Sequence, residues 1–67
     1  MINNKRIEVG LITRDKKGKV LHSRVITVTD RKELEDQVAF YKGILTGYDA
    51  EIRETLGGLF LIWTDNT

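Results

Sequence analysis

A chain of 67 residues with a formal net charge of +1 makes one small domain. A domain of that size buries only about 60% of the surface its unfolded chain exposes, so it leans on disulfides, a metal or a partner subunit. The chain has no cysteine, which excludes disulfides, and His22 is its only histidine, which leaves no ligand set for a structural zinc. Tight packing or self-association is what is left.

Residues 1–4 read as a frayed lead-in. The start, Met1-Ile2-Asn3-Asn4-Lys5-Arg6, is followed by no apolar run of signal-peptide length. The longest apolar run is Leu59-Phe60-Leu61-Ile62-Trp63, far short of the roughly 20 residues needed to cross a bilayer. A soluble protein of a reducing cytoplasm, with no membrane partner, is the expectation.

Residues 5–14 alternate, with Ile7, Val9 and Leu11 toward one side and Glu8, Gly10 and Ile12 toward the other, as in a strand with one strongly apolar face. Asp15-Lys16-Lys17-Gly18 has the chemistry of a type I turn closed by a left-handed glycine. A second strand, rich in β-branched residues, follows over residues 19–28. With the usual bulge at Gly18, Val9 opposes Val25 and Leu11 opposes Ser23. Ile7, Val9, Leu11, Leu21 and Val25 then form a core face, and Ile12, His22, Arg24, Ile26 and Val28 a mixed second face.

Asp30 with Glu33 three residues on has the spacing of a capping box. From residue 31 to about residue 45, Leu34, Val38, Tyr41 and Leu45 recur at helical spacing, with Phe40 and Ile44 widening the stripe. Gly47 suits a left-handed stop. Residues 49–56 fit either a short helix, capped by Asp49 and closed by Gly57, or a strand. The strand is favoured, because Gly57-Gly58 flanked by leucines is a hairpin signal. In that hairpin Leu56 faces Leu59, Glu54 faces Leu61 and Ile52 faces Trp63. The run at residues 59–63 is apolar at every position, which marks a central strand shielded on both sides. Asp65-Asn66-Thr67 reads as a frayed polar tail.

The order strand, strand, helix, strand, strand predicts a single α+β domain: a small antiparallel sheet with one helix packed on one face. A helix of about 15 residues is roughly 22 Å long and covers one side only. The other side would carry Phe60, Ile62, Ile12 and Ile26, a patch unusual on a soluble monomer. A homodimer closed through these residues is expected, with Phe40 at its periphery.

Catalysis is not expected. His22 and Ser23 are adjacent on a strand and point to opposite faces. Glu33, Glu35 and Asp36 sit in the first turns of the helix, where the dipole accounts for them. Gly57-Gly58 lacks the pattern of a phosphate-binding loop. No cofactor or metal site is expected.

The charge is unevenly divided. Residues 1–32 hold nine Lys/Arg and three Asp/Glu, a net +6, and residues 33–67 hold two and seven, a net −5. Arg14, Lys16, Lys17, Lys19 and Arg24 are candidate nucleic-acid contacts on the first hairpin. They lack the interleaved aromatics of a stacking platform, and lysines at a hairpin tip also keep an edge strand soluble. An unidentified protein partner is favoured, with nucleic acid the alternative. The short cysteine-free chain resembles, in style alone, many short bacterial or bacteriophage proteins; the resemblance implies no role for any residue.

Overall fold

The computed structural model describes residues 6–67. The frayed start expected at residues 1–4 lies outside them. The chain forms strands β1 (Ile7–Arg14) and β2 (Val20–Val28), helix α1 (Arg31–Lys42), and strands β3 (Tyr48–Thr55) and β4 (Gly58–Asp65). This is an α+β fold in β-β-α-β-β order, with the four strands in one sheet arranged β2-β1-β4-β3.

The sheet is mixed, which corrects the all-antiparallel expectation. β1–β2 and β3–β4 are antiparallel hairpins, but the central pair β1–β4 is parallel, from Val9↔Leu59 to Arg14↔Thr64. The cause is the helix. It carries the chain from the β2 edge to the β3 edge, so β3 starts at the end of the sheet where β2 starts and β4 comes back beside β1 in the same direction.

The first turn forms as its residues dictate. Gly18 has φ 88°, its N–H donates to Asp15 O (2.9 Å), and the Asp15 carboxylate accepts from the N–H groups of Lys17 and Lys19. A second irregularity follows, because Arg14 pairs with Val20 while Thr13 pairs with His22, leaving Leu21 as a bulge. The register therefore runs Val9↔Ile26, Leu11↔Arg24 and Ile7↔Val28, one residue away from the expected pairing. A one-residue shift exchanges the two faces. Val28 is buried in the core and Ile26 packs against it, while Leu21 and Val25, expected inside, are exposed.

The core is Val9, Val28, Leu34, Leu61 and Trp63, with Leu34 supplied by the helix. Asp30 caps α1: its Oδ1 accepts from Glu33 N–H (2.8 Å), and Glu33 Oε1 accepts from Thr29 Oγ1 (2.6 Å) and Thr29 N–H (3.1 Å). The helix ends at Lys42 with Gly43 as its cap, short of the expected residue 45. Gly47, expected as the helix stop, instead turns the chain into β3 with φ 87°. Asn66 N–H donates to Gly47 O (2.8 Å) and Thr67 bonds back to Asp65, so the polar tail is tied to the connection.

Residues 48–55 are a strand, and the hairpin to β4 turns through Leu56-Gly57, not Gly57-Gly58. The Thr55 hydroxyl accepts from Gly57 N–H and donates to Gly58 O, drawing the turn back by one position. Left-handed backbone falls on Gly58, at φ 132°. Glu54 pairs with Leu59, Ile52 with Leu61 and Ala50 with Trp63. That is two residues from the expected register, so every side chain keeps its face.

Candidate interaction surfaces

The two central strands bury both faces of the sheet's middle, by different means. On the helix side Leu61 and Trp63 join the core. On the open side Ile62 is only 5% exposed, between its cross-strand neighbours Ile12 and Glu51. Phe60 is half-buried, and its ring fills the space over Gly10, where a Cβ would stand 2.6 Å from Phe60 Cδ1. The Glu51–Arg53 ion pair (2.8 Å) stands beside Ile62 and Phe60 on β3. Of the expected interface residues, Phe60, Ile62 and Ile12 therefore do lie together on the open face, but largely screened by the chain itself. Ile26 does not join them, because the Leu21 bulge turns it to the helix side.

Exposed apolar area lies elsewhere. Eight large hydrophobic residues are exposed among the described residues, and seven of them sit on β2 or on α1 and the segment after it. Val20, Leu21 and Val25 (67%) line β2, while Phe40 (64%), Tyr41, Ile44 and Leu45 line the C-terminal half of the helix and the turns that follow. Tyr41, expected in the core, is 44% exposed and stacks edge-on with Phe40 (5.2 Å between ring centres). Leu34 near the start of the helix is fully buried and Val38 packs against the core, whereas Phe40 and Tyr41 beyond them are exposed.

A cleft of about 330 Å³ lies between the later half of α1, the segment after it and the sheet. Leu11, Leu61 and Trp63 are among its apolar walls, and Arg24, Gln37 and Tyr48 contribute polar groups. A shallower depression beside it, between α1 and β2, has Arg24 and Ile26 on one side and Glu33, Asp36 and Phe40 on the other. Sequence periodicity gave the apolar stripe of the helix but no sign of the cleft beside Tyr41 and Leu45.

The basic residues of the first hairpin do not form one surface. Lys16, Lys17 and Lys19 are exposed at its tip. Arg14 and Arg24 lie on opposite faces of the sheet, since Arg14 shares a face with Thr64 and Arg24 with Leu11. Arg14 is partly buried, its Nη2 donating to Thr64 Oγ1 (3.3 Å) and its Nε without a hydrogen-bond partner. Asp65, at the same end of the sheet, lies close enough to Lys16 to feel its charge.

No group of three or more His, Cys, Asp or Glu is placed to hold a metal ion among the described residues. No described helix is long and apolar enough to cross a membrane. Comparison of the chain with known protein families, with curated proteins and with solved structures found no match.

Proposed function

We propose that this chain is a small, non-catalytic, cytoplasmic interaction protein that works as a homodimer and docks another protein. One observation carries the reading: seven of the eight exposed large apolar residues lie on β2, at the end of α1 and in the segment after it. So much exposed apolar surface on a small domain is the mark of a surface kept for a partner. Phe40 and Tyr41 are of residue types suited to anchor an interface, and the adjoining cleft has apolar walls with a few polar groups to orient what enters. Sedimentation over a range of concentrations tests the first half of the reading. Wild type should sediment as a dimer, and a monomer at every concentration would sink it. For the second half, a photo-reactive residue at position 44 should trap a discrete protein adduct in the source cell. Trapping that is equally strong from a control at position 56 would count against it.

The exposed lysines at the hairpin tip favour a second reading, in which the tip contacts nucleic acid. Phosphate contacts make affinity fall steeply with salt. Binding of duplex or single-stranded DNA should then weaken as salt rises and vanish when Lys16 and Lys17 are both changed to Glu; no binding at low salt removes this reading.

A further inference from the structure

We propose that β2 is the homodimer interface, and that it pairs antiparallel with β2 of a second copy about a two-fold axis at Val25, joining the two sheets into one of eight strands. The inference rests on the homodimer reading above and gives it a geometry. Among the described residues β2 and β3 are the outer strands, each with one side unpaired, and an edge left in that state is a template for another strand. The two edges differ in how they are protected. β3 carries Asp49, Glu51, Arg53 and Glu54 within eight residues, whereas Arg24 is the only formally charged residue in the nine of β2. From His22 to Val28 the pairing of β2 with β1 is regular, with neither Gly nor Pro, and its bulge lies outside that stretch.

The occupant is a second copy because each side of this edge carries an exposed apolar residue. Val25 is 67% exposed on the open face, and Phe40 is 64% exposed on the helix side, lining the depression beside Arg24 and Ile26. An extended peptide would pair with the strand and leave Phe40 uncovered. A second copy of the same edge brings a strand for the strand and a helix flank for the helix flank.

Register follows from charge. A two-fold at Arg24, the midpoint of β2, would set Arg24 directly against its copy, and like charges so placed are destabilising. A two-fold at Val25, the midpoint of the regular stretch His22–Val28, sets Val25 against Val25 and Ser23 against Thr27 on the open face. On the helix side it sets Arg24 against the second copy's Ile26. That neighbour lines the depression whose far side holds Glu33 and Asp36, so each guanidinium faces an apolar residue and not its like-charged copy. Apolar and Ser–Thr cross-strand pairs of this kind are favourable.

The test combines sedimentation with cross-linking. Val25→Lys places two ammonium groups on the axis and should raise the dimer dissociation constant roughly 30-fold or more, as loss of a central interface residue does. Leu56→Lys, at the fully exposed turn, should change nothing. Val25→Cys, in a chain without other cysteines, should oxidise to a disulfide-linked dimer under native conditions, while Leu56→Cys should not. The cross-link needs no destabilising change, so it decides the matter even if Val25→Lys fails to fold. A wild-type dimer that resists Val25→Lys, gives no Val25→Cys cross-link and dissociates with Phe60→Glu would overturn the edge interface and leave the homodimer standing. A wild type that is monomeric throughout would remove both.

Discussion

Phe60 and Gly10 explain each other. They are cross-strand neighbours on the open face, and the ring of one occupies the volume that any side chain on the other would need. An aromatic residue covering a strand glycine shields backbone that would otherwise be wet and weakly ordered. Gly10→Ala would ordinarily gain about 0.5–1 kcal/mol from reduced freedom of the unfolded chain. Here the added methyl meets Phe60 Cδ1 at 2.6 Å and Cε1 at 2.9 Å, and overpacking of this sort costs about 1–3 kcal/mol. The net effect should be a loss of about 1 kcal/mol, read as a lowered urea midpoint. With Phe60→Leu in the background the same change should cost less, and equal costs in the two backgrounds would show that the pair is not coupled.

The start of α1 joins a cap to a titration. Asp30 accepts from Glu33 N–H, and Asp30→Ala should cost about 1 kcal/mol, measured by thermal unfolding. Glu33 turns back to accept from the hydroxyl and then the N–H of Thr29, and these bonds hold its carboxyl below the usual 4.5. Asp65 is held below 3.8 in the same way by the Thr67 hydroxyl and N–H. For both groups the folded state binds a proton less readily than the unfolded one. Their stabilisation is complete above the ordinary values and is lost as pH falls through the lowered ones. Melting temperature should therefore drop below about pH 4.5 in wild type, and Glu33→Gln should flatten part of that drop. An identical acid limb in the variant would show that the Glu33 bonds contribute nothing.

How much of these elements could be read beforehand depended on parity. The hairpin of β3 and β4 was expected two residues out of register, and nothing about its faces changed, so Trp63 and Leu61 were rightly placed inside. The hairpin of β1 and β2 was expected one residue out, and the faces were exchanged. The turn at Gly18 carried its chemistry in Asp15 and Gly18, but the bulge at Leu21 has no signature: Val20, Leu21 and His22 are ordinary strand residues. Alternation along β2 gave no help either, since apolar residues occur on both sides of it. The helix stripe was legible, and the exposure of Tyr41 and Leu45 at and beyond its end was not, because periodicity says which side of a helix is apolar and nothing about what lies opposite.

Across the molecule, these features move the uncovered apolar surface from the middle of the open face to β2 and the end of the helix. A sheet with a helix on one face was expected to leave its centre wet, but Ile62 is shielded by its neighbours and Phe60 by its seat over Gly10. The parallel β1–β4 pair, formed by residues about fifty apart, is the only seam joining the two hairpins within the sheet among the described residues. Breaking it separates them, so amides at this seam should open only with the whole domain. The edges should behave differently from the seam and from each other. Outward-facing amides of β3 are free to exchange whether or not the chain associates. Those of β2 become hydrogen-bonded across the two-fold if the edges pair, and their exchange should slow as protein concentration rises. Hydrogen exchange of wild type and Val25→Lys at matched concentrations reads this directly: protection within residues 22–28 should be lost in the variant, with residues 9–13 and 59–63 changed far less. Concentration-dependent protection that appears on β3 instead would place the interface on the opposite edge.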